Sequence, residues 1–366
     1  MRLRASILLF GCLVPTACGG SDDAPSGPSP DAGTVDVLDP DVSPEAAPDG
    51  EPDAQDDVSG EAEGGDPDVV ETDAGLERRT YSGPEGRRDY LIRRPAGGGD
   101  MPLVMVLHGC QQAANSFAML TGFDALADEE SFIAVFPEQS GAANPYFCWN
   151  WFLEDQQRRD VGEAATLRAI VGEVVAEGGV DVSRVYAVGL SAGGGMAVVL
   201  GTVFADVFAA VGTVEGCPFR GTPCLNEPSS LTGDELALVA HGAMGAHARV
   251  LPVFVVQGDV DVYVAPANGD LLVGQWLGVA DLVDNGLLDQ SVSRDPASVT
   301  TETASGGKSY DILTYGDEAL PLVRRWTVHG MSHAWSGGAA GMSFSDPGGP
   351  DAARGAWDFF SAYELP

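Results

Sequence analysis

The chain has 366 residues, with 54 acidic side chains against 19 basic ones and a formal net charge of −35 at pH 7. Such an excess of negative charge argues against nucleic acid as a partner. The length allows two domains, but the composition is too uneven for two similar halves, and beyond the first twenty residues there is no apolar run of membrane-spanning length.

The opening stretch "MRLRASILLFGCLVPTACGG" has two arginines, a short apolar core and small residues before Cys18. That is the form of a secretory signal over residues 1–18, too short for a comfortable transmembrane helix. Its end resembles a bacterial lipoprotein box, in which Cys18 is lipidated, with Pro15 where leucine is usual. Ordinary cleavage without a lipid is the alternative, and Cys12 follows a shorter apolar run. Residues 19–75 are Asp, Glu, Pro, Gly, Ser and Ala with few large apolar side chains. Such a segment buries too little surface to offset chain entropy, so we expect a disordered acidic tether extended by its own charge. A secreted or cell-envelope protein is implied, touching a membrane only through an N-terminal lipid.

Residues 76–366 form the expected folded domain. "RRTYSGPEGRRDYLIRRP" reads as an antiparallel hairpin, and "MPLVMVLHG", "FIAVFPEQ", "RVYAVGLS", "AAVGTVEG", "LPVFVVQGD" and "VRRWTVHG" read as strands. Between the second and third of these, Val161, Ala164, Leu167, Ile170, Val171, Val174 and Val175 recur at threes and fours, predicting a helix that Asp160 would cap. "PDAARGAWDFFSAYEL" predicts a closing helix. Strands alternating with helices give an α/β fold with a mostly parallel central sheet flanked by helices.

In the expected domain lie Cys110, Cys148, Cys217 and Cys224. An even count in an exported chain points to disulfides; the short gap from Cys217 to Cys224 favours that pair and leaves Cys110 with Cys148, although three connectivities are possible. No CxxC spacing supports a metal site.

"RVYAVGLSAGGGMAVVLG" carries Gly189, Ser191 and Gly193 where a strand passes into a helix. In a chain with 48 glycines the Gly-x-Ser-x-Gly pattern alone means little. The flanking strand and helix give it weight, because a sharp turn there exposes the serine hydroxyl as a nucleophile. A serine needs a base, and the base needs a group that fixes its tautomer. On this turn the partners follow in the order serine, acid, histidine. Asp259 and Asp261 lie in "QGDVDVYV", and only His329 and His333 lie beyond them. His329 ends a strand whereas His333 sits in the loop "GMSHAWSGG", so the triad expected is Ser191, Asp261 and His333, with Asp259 the rival acid. The backbone N–H groups of Ala192 and of Cys110, which follows Gly109, are placed to hold an oxyanion. His108, Trp149, Trp151 and Trp335 are candidates for the pocket, although a histidine at position 108 more often packs or bonds beneath the Gly109 loop, and Trp149 and Trp151 are equally suited to the core.

These segments, together with "LHGCQQAANSFA", "GFDALADEESFIAVFPEQS", "CWNWF" and "FAAVGTVEG", resemble the polyhydroxybutyrate depolymerase family of secreted esterases, which includes feruloyl and acetylxylan esterase-like members. They span most of residues 88–361 in the expected order. The resemblance implies an α/β-hydrolase fold, the triad above, and ester hydrolysis without metal or organic cofactor. Gln257, where many members have histidine, and "CPFRGTPC" depart from the family pattern. The expected substrate is an ester, polymeric or soluble: a hydroxyalkanoate oligomer, or a feruloyl or acetyl ester of plant polysaccharide. Two other functions share the fold: a non-catalytic polysaccharide-binding lipoprotein, and a peptidase or acyltransferase using the same triad.

Overall fold

The computed structural model describes residues 70–71 and 75–366. The expected signal, Cys12, Cys18 and nearly all of the acidic tether lie outside the described residues. Within the tether range, β1 (Val70–Glu71) pairs with β2 (Glu77–Gly83), so the first paired residues precede the boundary at residue 76.

β2 and β3 (Gly86–Arg93) form the expected hairpin. Next come β4 (Met101–Leu107), β5 (Ile133–Pro137), β6 (Val180–Leu190), β7 (Ala210–Val214), β8 (Val253–Gly258), β9 (Ser298–Thr303), β10 (Ser309–Gly316) and β11 (Pro321–Val328). The sheet order is β1-β2-β3-β5-β4-β6-β7-β8-β11-β10-β9. The six strands expected from the sequence make its parallel centre, with antiparallel strands on both sides.

The centre is apolar on both faces, as a parallel sheet covered by helices must be. In β4, Leu103, Met105 and Leu107 enter one core while Val104 and Val106 enter the other. Helices α3 (Gly162–Ala176), α4 (Ala192–Val203), α5 (Gly233–Met244) and α6 (Ala267–Asn285) pack on the first face. Helices α1 (Ala114–Thr121), α2 (Phe123–Glu130) and α7 (Ala352–Phe360) cover the second. Together this is the α/β-hydrolase fold.

One helix end differs from expectation. The N-cap of α3 is Val161, with no side-chain cap, and Asp160 instead pairs with Arg158 at 2.9 Å. Gln156, brought up by the preceding loop, accepts the Glu163 N–H at 2.9 Å and supplies the oxygen that Asp160 was expected to provide.

Candidate active site

Ser191 stands between the end of β6 and the start of α4, at φ 57° and ψ −118°. A non-glycine residue with positive φ outside the left-handed helical region is strained and is held only by its surroundings. Its N–H donates to the Val214 carbonyl at 2.9 Å, and its carbonyl accepts the Gly195 N–H at 2.9 Å. The flanking glycines let three backbones converge. A Cβ on Gly189 would sit 2.4 Å from the Gly193 carbonyl carbon, and one on Gly193 would sit 2.1 Å from the Leu107 carbonyl oxygen. Ala192 opens α4, so its N–H has no helical carbonyl to bond and is left at the positive end of the helix dipole.

His333 and Asp261 come from loops after β11 and β8, adjacent parallel strands whose C-terminal ends share the rim with β6. His333 Nδ1 and Asp261 Oδ2 are 2.7 Å apart, and both side chains are buried. That bond places the ring hydrogen on Nδ1 and leaves Nε2 for the cavity that His333 and Ser191 both line. The Ser191–His333 link is not itself a hydrogen bond here, as is common before substrate tightens such a site. Asp261 Oδ1 accepts the N–H groups of Tyr263 at 2.7 Å and Val264 at 3.0 Å. Burial pushes the Asp261 carboxyl upward, but hydrogen bonds from His333 and Glu215 outweigh it and hold the group below its ordinary value.

Asp259 and His329 form a separate pair. His329 Nδ1 lies 3.0 Å from Asp259 and its Nε2 lies 3.3 Å from Asp311, tying the turn after β8 to β10. The Gly330 N–H completes this knot with a 2.7 Å bond to Asp259.

Two cavities meet at Ser191. One, of about 320 Å³, is mostly apolar and is walled by Trp151, Phe152, Ala192, Pro223, Leu225 and Val264, with cysteines of both disulfides. The second, of about 270 Å³, contains His333, Tyr263, Phe344, Gln111 and Gln112. A larger hollow of about 520 Å³ near Arg220 and Val239 lacks Ser191, and size alone would misplace the chemistry. The disulfides join Cys110 to Cys148 and Cys217 to Cys224. Cys110 borders both cavities beside Ser191, and its bond ties the Gly109 loop to the segment carrying Trp151.

Of the aromatic pocket candidates, only Trp151 lines a cavity. Trp149 is fully buried against His108 and under the Arg88 guanidinium. Trp335 is fully buried between Phe117 and Phe123. His108 lies beneath the Gly109 loop, where Nδ1 donates to the Gly109 carbonyl at 2.7 Å and Nε2 accepts the Gln139 N–H at 3.0 Å. Burial lowers its pKa to about 4, which matches the neutral ring those two bonds require. Trp149 and Trp335 are corrections to the expected pocket: their rings fill space in the core, which a hydrophobic sequence position cannot distinguish from a pocket wall, while His108 takes its alternative place bonded beneath the Gly109 loop.

Sequence reasoning also missed Phe152, Leu225, Tyr263 and Phe344, which border the cavities, and Glu215, which is fully buried beside Asp261. The one available signal was an acidic residue closing an apolar strand in "AAVGTVEG". Glu215, Asp261 and His333 are the one cluster of three potential metal donors among the described residues. His333 and Asp261 already bond each other, and both carboxyl groups accept hydrogens from neighbouring N–H groups of the chain.

Comparison with known proteins adds to this geometry. A family model described as esterase PHB depolymerase matches residues 89–302, a stretch that holds Ser191 and Asp261 and stops short of His333. The chain is 30% identical over 243 residues to poly(3-hydroxyalkanoate) depolymerase C of Paucimonas lemoignei, covering 63% of this chain and 54% of that protein. It is 28% identical over 257 residues to poly(3-hydroxybutyrate) depolymerase of Ralstonia pickettii, covering 66% and 50%. The chain thus spans about half the length of these curated relatives. In fold it is similar to an acetyl xylan esterase from Aspergillus awamori, with a TM-score of 0.61 at 18% identity over 78% of this chain and 98% of that one.

Proposed function

This chain belongs to the esterase PHB depolymerase family, and from that premise we propose that it is a serine esterase acting through Ser191, His333 and Asp261. His333 takes the Ser191 proton as the hydroxyl oxygen attacks the ester carbonyl. The N–H groups of Cys110 and Ala192 receive the oxyanion, and His333 then gives its proton to the departing alcohol. Water, deprotonated by the same imidazole, releases the acid from the acyl-enzyme and returns the serine to its starting state. Asp261 keeps the ring in its Nδ1–H form and stabilises the imidazolium that forms in each half-reaction. Each step uses a group of the chain itself and calls for no cofactor.

The observation that carries this reading is the 2.7 Å contact between His333 and Asp261 on a cavity shared with a strained Ser191. The substrate we propose is a hydroxyalkanoate oligomer or a feruloyl or acetyl ester of polysaccharide. The apolar cavity beside Ser191 supports short or aromatic groups on one side of the ester bond. We further propose residues 1–18 as an export signal with Cys18 a lipidation site, residues 19–75 as a tether, and residues 76–366 as the catalytic unit.

The test is Ser191→Ala. Turnover of p-nitrophenyl acetate or butyrate falls by a factor on the order of 10⁴ or more while circular dichroism and Tm hold. Unchanged turnover in the folded variant would overturn the proposal.

A further inference from the structure

Glu215 follows β7 with a φ of 49°, and its side chain is fully buried. The Gly258 N–H donates to its Oε1 at 2.6 Å, and Gln257 Nε2 donates to its Oε2. One Glu215 oxygen, one Asp261 oxygen and one His333 ring nitrogen all lie within 4.8 Å of each other. Two carboxyl groups this close and this buried do not both ionise, so one of them keeps its proton.

Hydrogen bonding decides which. Asp261 receives three donors, two of them backbone N–H groups on Oδ1 and the third the His333 ring on Oδ2. A carboxylate has about four acceptor positions, so one position on Asp261 remains. Glu215 receives only two donors, both neutral, and Asp261 and His333 are the titratable groups that face it. The anion is therefore better held on Asp261, and the proton belongs to Glu215.

We propose, building on the ester-hydrolase reading above, that Glu215 is a positioning residue: a neutral carboxylic acid that donates its O–H to Asp261 and thereby fixes the carboxylate against His333. Burial first, and then the neighbouring Asp261, push the pKa of Glu215 well above the usual carboxyl range. The relay then has four members instead of three, and its last member carries no charge during turnover.

Two variants test this, read by kcat, KM and the pH profile of kcat/KM on p-nitrophenyl butyrate. Glu215→Gln keeps a neutral donor for Asp261 and an acceptor for the Gly258 N–H. With the Gln257 amide turned over, so that its Oε1, which has no partner in the structure, replaces the Nε2 that now donates to Glu215, the second amide hydrogen finds an acceptor. The expected result is kcat within about threefold of wild type and an acid limb at the same pH, since no charge has been removed. Glu215→Leu removes the donor, and kcat should fall about 10- to 100-fold with KM changed less than about twofold. An acid limb displaced by about a unit in Glu215→Gln would show that Glu215 is ionised and overturn the proposal. So would wild-type kcat in Glu215→Leu. If Glu215→Leu does not fold, the Glu215→Gln profile alone decides. Failure of the ester-hydrolase reading is separately visible as failure of wild type itself to turn over the ester.

Discussion

Replacing Gly193 by alanine tests whether the turn at Ser191 is held by contact between backbones. The new Cβ would lie 2.1 Å from the Leu107 carbonyl oxygen and 2.6 Å from that of His108, whereas real Cβ atoms essentially never come under 3.0 Å. Backbone cannot swing aside as a side chain can, so α4 and β4 must part by about 0.9 Å, the difference between 2.1 and 3.0 Å. That displacement moves the Ala192 N–H away from the Cys110 N–H across the site. A misplacement of about 1 Å costs on the order of 10²-fold in rate, and overpacking of this kind costs about 1–3 kcal/mol of stability. We therefore expect Gly193→Ala to lose about 100-fold in kcat/KM on p-nitrophenyl butyrate and to melt several degrees lower. Gly242→Ala is the control, since nothing lies within 4 Å of its would-be Cβ in α5. It should keep full activity and gain about 0.5–1 kcal/mol. A Gly193→Ala protein with wild-type kcat/KM and Tm would refute the steric argument.

Other predictions follow from the two histidine–aspartate pairs. Asp261→Asn should lower kcat by about 10⁴ by releasing the imidazole tautomer, while Asp259→Asn should stay within about threefold; the reverse ranking would transfer the role to Asp259. The hydrogen bond to Asp259, with help from Asp311 and against partial burial, raises the pKa of His329. A raised histidine stabilises the fold fully below its unfolded value of about 6.5 and loses that contribution as pH climbs through the folded value. The Tm gap between wild type and His329→Gln should accordingly be wider at pH 5.5 than at pH 8.5, and a gap equal at both would contradict the ion pair.

The parallel centre of the sheet was legible because both of its faces are buried, which writes near-continuous runs of Val, Leu and Phe into β4, β5 and β8. β9 was not: its residues Ser298 to Thr303 are largely exposed, and a polar, threonine-rich edge strand has no apolar alternation to detect. Within the site, chain order together with strand and loop placement nominated Ser191, Asp261 and His333, with Asp259 left as the rival acid. What the sequence could not separate was depth. Trp151 and Trp149 are two residues apart, yet one faces a cavity and the other fills the core. Nor could it bring Glu215 to Asp261, since their meeting depends on β7 and β8 lying side by side.

The central claim, that Ser191 is the nucleophile of a relay running through His333 to Asp261, is met most directly by treating the protein with a fluorophosphonate and locating the adduct by peptide mass spectrometry. One phosphonyl group per chain on Ser191, formed far more slowly in Asp261→Asn, is the predicted result. An adduct on another residue, or full ester turnover with Ser191 unmodified, would contradict it.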